Sequence, residues 1–294
     1  MDLVVNSRRM PMPGETVSGH TFSTVPGGKG ANQAVAAARL GCDVTMIGCV
    51  GDDEFGRVLK RGLANEGIDT RTVKSVAGMA SGVALIQVDE NGENAITVVA
   101  GANGELVLSE IPGAEAAIQD ADVVLMQLEI PLSAVADAVK CCSTTNTLCV
   151  LDPAPVPEGE IPEGLYWVDV LSPNQHEAEG LTGVPVHDAV SALQAAHVLQ
   201  RRGANHVVVK MGAAGAFALD QRGASYIVPP FSANVVDTTA AGDAFTAALG
   251  VGLAQQMRLA EATRFGCAAG SLAVQRAGAQ EAMPVLKDVM RKLR

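Results

Sequence analysis

Residues 123–151, VVLMQLEIPLSAVADAVKCCSTTNTLCVL, decide the fold class of this chain. A strand-like run, Val123–Gln127, leads into a helix-like segment, Leu132–Cys142, and a second strand-like run, Leu148–Leu151, follows. Outward from this unit, the same alternation continues over Val44–Val50, Glu54–Glu66, Val168–Ser172, His176–Thr182, Ala189–Arg202, Val207–Lys210, Gly242–Gln255 and Leu259–Arg276. Such alternation predicts an α/β fold in which a mostly parallel sheet carries helices on both faces, with ligands at the carboxyl ends of the strands.

Two stretches do not follow this alternation. Leu3–Val25 and Ala80–Ala100 read as short alternating strands, and a turn at Asp89–Gly92 joins the halves of the second stretch. We therefore predict a small separate β-sheet inserted into the α/β body. The predicted sheet takes residues 1–25 and 80–100, and the body takes residues 26–79 and 101–294.

The composition excludes several classes of protein. The chain has 294 residues, 48% of them hydrophobic, and a formal net charge of -11, so it can form a large core. It contains no cluster of Lys and Arg of the kind that binds nucleic acid. No apolar run approaches the roughly 20 residues of a membrane helix, and the first residues lack the order of a signal peptide. The six cysteines show no CxxC spacing and indicate free thiols, so we expect a cytoplasmic protein.

The segment VVDTTAAGDAF, residues 235–245, leaves a strand and enters a helix-like run. Small residues at Ala240, Ala241 and Gly242 allow backbone N–H groups at a helix N-terminus to approach an anion. Asp243 would repel that anion unless it accepts a proton from an attacking hydroxyl, which predicts a general base. The alternative is an ordinary first-turn acid that the helix dipole favours.

A glycine-rich turn, PGGKGANQA at residues 26–34, opens a helix-like run over Ala34–Leu40. Its glycines permit close backbone approach, while Lys29 and Asn32 supply donors suited to hydroxyls or phosphate. The segment is not a Walker P-loop, since GxxxxGK[ST] occurs nowhere in the chain. A purely structural turn is the alternative interpretation.

Polar residues also follow three of the predicted strands. Glu129 follows Val123–Gln127, and Asn174 with Glu177 follows the next strand but one, so these side chains should point into the crevice. A carboxylate there could hold Mg²⁺ through water, although Asn174 and Glu177 could equally form a helix capping box. The turn Lys210–Ala216 follows another strand, and its backbone could track a polyphosphate.

These motifs occur together and in order along nearly the whole chain: PMPGETVSG, GGKGANQAVAAARLG, GDDEFG, SGVAL, AGAN, MQLE, PNQHEAE, KMGAAGA, DTTAAGDAF and RAGAQ. In this combination the sequence resembles the ribokinase family of carbohydrate kinases. The resemblance implies a ribokinase-like three-layer αβα sandwich with a β-sheet lid. It also implies phosphoryl transfer from ATP, with Mg²⁺, to the primary hydroxyl of a sugar.

The resemblance also assigns site residues. Asp243 is implied as general base, with the backbone of Ala240, Ala241 and Gly242 as the anion hole. The implied sugar site comprises Asp2, Gly27, Gly28, Lys29, Asn32, Asn103, Glu129 and Asp243. The implied nucleotide contacts are Asn174, Lys210, Gly212, Ala213, Gly215, Gly242 and Cys267. Glu177 is implied as the Mg²⁺ position, through water, and Asp237, Thr239, Val274, Ala277 and Ala279 as a site for K⁺.

The same resemblance favours D-ribose as acceptor and a homodimer formed through the lid. With only 9 aromatic residues the chain offers few shelves for a nucleoside base. The alternatives are 2-deoxyribose, a hexose or a nucleoside as acceptor, or a sugar- or nucleotide-binding protein with impaired catalysis.

Two features depart from the family pattern. Members normally begin with a hydrophobic strand that ends in Asn-x-Asp, whereas this sequence starts with Met1-Asp2, so we expect the first core strand and one sugar-binding Asn to be absent. The segment Glu281–Met283 lacks the Ser that often completes the cation loop, which leaves activation by K⁺ open.

Overall fold

The computed structural model describes residues 1–294 and contains three β-sheets and nine α-helices. The strands are β1 Asp2–Ser7, β2 Gly19–Val25, β3 Gly48–Gly51, β4 Val73–Val76, β5 Val83–Val88, β6 Asn94–Val99, β7 Val123–Met126, β8 Leu148–Leu151, β9 Val170–Leu171, β10 His206–Lys210, β11 Ala216–Leu219 and β12 Ser225–Val228. The helices are α1 Lys29–Arg39, α2 Glu54–Asn65, α3 Ala114–Asp120, α4 Leu132–Ser143, α5 Gln175–Thr182, α6 Ala189–Arg202, α7 Ala241–Ala254, α8 Leu259–Ala273 and α9 Leu286–Leu293. The predicted α/β class is confirmed.

The largest sheet has six strands in the order β12-β11-β10-β9-β8-β7. The pairs from β7 to β10 are parallel, and β11 and β12 complete the sheet in antiparallel pairs. Side chains of β10 alternate between two apolar clusters, with Val207 and Val209 in the larger one and Val208 in the other. Because helices cover both faces, the strand is apolar throughout its centre, and the body has the three layers predicted.

A separate parallel pair, β3 and β4, lies beyond β7. A cavity of about 1150 Å³ is lined by Cys49 and Val50 of β3 and by Val123–Met126 of β7. The strand predicted over Val44–Val50 is shorter than expected: its continuous ladder begins at Gly48, and Thr45 makes only an isolated bridge to Asp69.

The remaining four strands form the small sheet, in the order β2-β1-β5-β6. β1 runs parallel to β5, and β2 and β6 flank this pair in antiparallel register. Asp89 shapes the β5–β6 turn by accepting hydrogen bonds from the backbone N–H groups of Asn91 (2.8 Å) and Glu93 (3.0 Å). All four strands fall within residues 1–25 and 80–100. None of the nine helices has the length and apolar character needed to cross a bilayer.

Candidate active site

The site begins at the first turn of α7. Ala240, the N-cap residue, has left-handed backbone angles (φ 56°, ψ 14°), which an Ala adopts at a cost of about 1–2 kcal/mol. The N–H of Ala241 donates to the carbonyl oxygen of Thr238 (3.3 Å). The N–H groups of Gly242 and Asp243 have no acceptor earlier in the helix, so they are available to an anion. The predicted anion hole thus rests mainly on these two amides.

Asp243 is buried and both of its carboxylate oxygens accept hydrogen bonds. Asn32 Nδ2 donates to Oδ2 (2.9 Å), and Gln33 Nε2 donates to Oδ1 (3.2 Å). Burial raises the pKa of Asp243 to about 6, although Lys29 and the two amides act in the opposite direction. A carboxylate with this pKa is ionised at neutral pH and can take up a proton, as a general base must.

The glycine-rich turn places Lys29 and Glu129 beside this carboxylate. Gly28 caps α1 with a φ of 93°, which favours glycine, and the N–H of Lys29 donates to Glu129 Oε2 (2.8 Å). Burial opposes the charge on Lys29, but the carboxylates of Asp243 and Glu129 outweigh it and raise the pKa of Lys29. Asn32 Oδ1 is buried without a hydrogen-bond partner, so it offers an acceptor to a ligand hydroxyl.

The small sheet closes the site from above. A Cβ at Gly27 would collide with the carboxylate of Asp2 on β1, so only glycine permits this approach. Burial raises the pKa of Asp2, and the N-terminal amine partly offsets that effect. Asn103 follows β6 in a short 3₁₀ turn and lines the same cavity as Gly27, Gly28 and Glu129. Four of the eight predicted sugar residues thus line this cavity, and Asp2 and Lys29 contact two of these four.

The predicted nucleotide side lies at the ends of β9 and β10. Asn174 caps α5 by accepting from the N–H of Glu177 (2.8 Å), and Glu177 accepts in return from the backbone N–H and the side-chain amide of Asn174 (both 2.6 Å). Both residues therefore form the capping box considered above, at the mouth of the crevice. Burial raises the pKa of Glu177, and Lys210, with Nζ 4.0 Å from Glu177 Oε2, partly offsets it.

Four predicted nucleotide contacts differ in their surroundings. Gly212 and Ala213 are exposed in the turn after β10, and Gly215 (φ 88°) packs so closely on Val228 that a Cβ would collide with its carbonyl oxygen. Cys267 lies on α8 within the apolar cluster below β10, where burial raises the pKa of its thiol to about 12. Its thiol is therefore neutral, and the structure does not bring it together with the polar groups of the site.

The predicted cation residues form a distinct corner before α7. Asp237 Oδ1 accepts from the N–H of Thr239 and Oδ2 from that of Gly278, both at 2.9 Å. Burial opposes ionisation of Asp237, but these hydrogen bonds outweigh it and lower its pKa. The carbonyl oxygen of Val274 accepts the N–H groups of Val236 and Asp237, which ties the two loops together.

Four buried polar residues of the site were not predicted: Gln33, Gln127, Asp152 and Thr246. Gln33 lies in the glycine-rich segment but was not assigned a role. Asp152 directly follows β8, so the rule that polar residues after parallel strands face the crevice could have found it. Thr246 lies three residues after Asp243 on α7, and no pattern in the sequence marks it.

Comparison with known proteins identifies the family. The family model described as "pfkB family carbohydrate kinase" matches residues 1–286. The chain belongs to this family. The ribokinase of Haemophilus influenzae is 40% identical over 289 residues, which are 98% of this chain and 94% of that protein. The ribokinase of Bacillus subtilis is 39% identical over 292 residues, again 98% of this chain and 94% of that protein.

Solved ribokinase structures have the same fold as this kinase. A structure of Arabidopsis thaliana ribokinase complexed with ribose and ATP aligns with a TM-score of 0.94 and 34% identity, over 100% of this chain and 95% of that one. Thermotoga maritima ribokinase aligns with a TM-score of 0.89 and 33% identity, over 99% and 95%. The ribokinase-like fold predicted from the sequence is confirmed.

Proposed function

We propose that this carbohydrate kinase transfers the γ-phosphoryl group of ATP to the 5-hydroxyl of D-ribose. The observation that carries the proposal is Asp243, a buried base with both oxygens held by amides and with two free N–H groups beside it. Relatives at 40% and 39% identity are ribokinases, and a structural relative is described with ribose and ATP.

In this mechanism Asp243 accepts the proton of the sugar hydroxyl, whose oxygen attacks the γ-phosphorus while the bond from that phosphorus to the bridging oxygen breaks and ADP leaves. The N–H groups of Gly242 and Asp243 donate to the negative charge that develops on that group. Lys29, charged and half-buried among carboxylates, adds a positive field, and Asn32 Oδ1 accepts from the sugar. The Asp243 carboxylate and the two N–H groups are held in place by the fold before substrate binds.

The residues also fit the expected metal ions. Both oxygens of Glu177 already accept N–H groups, so this carboxylate suits contact with Mg²⁺ through water rather than directly. When bound, Mg²⁺ would neutralise charge on the ATP phosphates. The carboxylate of Asp237 and the backbone oxygens of Thr239, Ala277 and Ala279 are hard donors suited to K⁺, whereas the Val274 oxygen already accepts two N–H groups.

We further propose that two copies associate through the small sheet. Ile96 and Val98 on β6 are 55% and 66% exposed, and they lie on the same face as Asp2 because strand residues alternate. A second copy packed on this face would bury apolar surface and cover the sugar opening.

The test is ADP release from Mg·ATP with D-ribose, 2-deoxyribose, fructose and adenosine, each with and without K⁺. We expect D-ribose to give the highest kcat/KM. Asp243→Asn should lower kcat by about 10²–10⁴-fold while nucleotide binding persists, because only the proton acceptor is lost. Asp137→Asn, the same change at an exposed position on α4, is the control. Near-parental turnover by Asp243→Asn, or silence of the parent on every sugar, would overturn the proposal.

A further inference from the structure

A network of buried side chains lies directly behind the proposed base. Gln33, on α1, is 1% exposed, and its Nε2 donates to two carboxylates: Asp243 Oδ1 at 3.2 Å and Asp152 Oδ2 at 3.1 Å. One neutral amide nitrogen thus joins two acidic residues that are 91 positions apart in sequence. A buried carboxylate pair is costly unless donors separate the two charges, and Gln33 supplies these donors.

The orientation of the Gln33 amide follows from its third contact. Gln127 Nε2 donates to Gln33 Oε1 (2.5 Å), so the oxygen is occupied on one side and the NH₂ group faces the carboxylates. The reverse orientation would place the oxygen of Gln33 against Asp243 and Asp152 and its NH₂ against another donor. All polar atoms of Gln33 are therefore used, and neither a carboxylate nor an apolar side chain could replace it.

Asp152 is itself held by the nucleotide side of the site. Lys210 Nζ donates to Asp152 Oδ1 (2.7 Å), and Thr246 Oγ1 donates to Asp152 Oδ2 (3.0 Å). Lys210 Nζ also lies near Gly242, 3.8 Å from where a Cβ on that glycine would be. The contacts therefore run without interruption from Asp243 through Gln33 and Asp152 to the ammonium group next to the anion hole.

We propose that Gln33 is a positioning residue that holds the carboxylate of Asp243 and couples it to the Asp152–Lys210 ion pair. This inference rests on the proposed role of Asp243 as the base. Gln33 aligns Oδ1 toward the network, while Asn32 holds the oxygen that faces the sugar. The Asp243 carboxylate and the Lys210 ammonium group are thereby connected through one chain of hydrogen bonds, so that displacing either group displaces the other.

The charges that face Asp243 determine the direction in which its pKa should shift in each variant. They are Lys29, from the start of α1, and Asp152, from the end of β8; the first lowers and the second raises the pKa of the base. Gln33→Met removes a hydrogen bond to the ionised form, so the acidic limb of the kcat/KM profile should move to higher pH. Asp152→Asn removes a negative charge, so the limb should move to lower pH.

The experiment measures kcat, both KM values and the pH profile for the parent, Gln33→Met and Asp152→Asn. We expect Gln33→Met to lower kcat by about 10–10²-fold with little change in either KM, because a misplaced base slows the chemical step. Gln200→Met is the matched control. The amide of Gln200 also donates two hydrogen bonds, to the backbone oxygens of Asn205 and Asp220, far from the site. This control should leave kcat and the limb unchanged.

A titration by ¹³C NMR of labelled aspartate gives a readout that does not depend on turnover. Opposite displacements of the Asp243 titration in Gln33→Met and Asp152→Asn would support the coupling even if the parent phosphorylated no sugar, in which case only the proposed function would fail. If both variants titrate like the parent, or if Gln33→Met changes only the melting temperature as Gln200→Met does, the coupling is refuted. Should Gln33→Met not fold, the isosteric Asp152→Asn alone decides by the direction of its shift.

Discussion

At the residue scale, Asp243 combines chemical usefulness with a cost in stability. Its pKa of about 6 lies above the 3.8 of an unhindered aspartate, so the folded protein binds this proton more tightly than the unfolded chain. The stabilisation from protonation is complete below pH 3.8 and is lost as pH rises through 6. The difference between these pKa values corresponds to a loss on the order of 3 kcal/mol at neutral pH.

We predict from this that Asp243→Asn is more favourable to stability at pH 8 than at pH 5, relative to the parent. An amide carries no charge to desolvate, and Asn32, whose Oδ1 has no partner, can turn its amide to accept from the new NH₂ group. Urea unfolding at both pH values measures the difference, which should amount to about 1–3 kcal/mol. Asp137→Asn, exposed on α4, should show no such pH dependence; an equal effect of Asp243→Asn at both pH values would contradict the argument.

The residues that the sequence did not reveal share a physical cause. Asp243 and Asn32 lie in segments whose local pattern marks a helix N-terminus and a glycine-rich turn. The position of Asp152 directly after β8 marks it as a crevice residue, but its contact with Gln33, 119 positions away, is encoded by no local pattern. The direction of helix α1 brings them together, and that direction depends on packing against α7.

At the scale of elements, local signals located α2 well and β3 poorly. The predicted helix Glu54–Glu66 begins at Glu54 as observed, because Asp53 caps it by accepting from the N–H of Gly56 (2.7 Å). For β3, apolar character predicted a strand from Val44, yet only Gly48–Gly51 pairs continuously with a neighbouring strand, and Thr45 makes an isolated bridge to Asp69. Strand limits depend on partners far along the chain, whereas helix caps are local.

The dimer proposed to form through the sheet of β2, β1, β5 and β6 can be tested by mutation. Replacing Ile96 and Val98 together by Lys should weaken self-association by at least about 10²-fold, because each apolar side chain contributes about 1.5–3 kcal/mol when buried. Sedimentation velocity over a range of concentrations measures this. Val99→Lys, on the opposite face of the same strand, is the control and should leave the assembly intact. An unchanged dimer in the double variant would place the interface elsewhere.

At the scale of the whole molecule, the cavity between β3 and β7 interrupts the parallel sheet. Both strands end at the same side of the molecule as Met1, whose amine is near Asp53, after β3, and Glu129, after β7. Met1 is buried and lines the cavity. A strand that ended at Met1 would therefore run parallel to both edges and could pair with each.

Whether the space between β3 and β7 accepts a further strand can be tested by adding residues. Joining six apolar, β-branched residues to Met1 should raise the melting temperature, because they would satisfy unpaired backbone groups of β3 and β7 and fill apolar space. A gain of about 2 kcal/mol corresponds to roughly 3 °C in a chain of this size. Six Gly and Ser residues at the same place are the matched control, since they add length without β-propensity or apolar side chains. Equal melting temperatures for the two extensions would show that the cavity does not accept a strand. A higher melting temperature with the apolar extension alone would show that it does. A lower KM for ribose in that variant would show that the added strand also improves the sugar site.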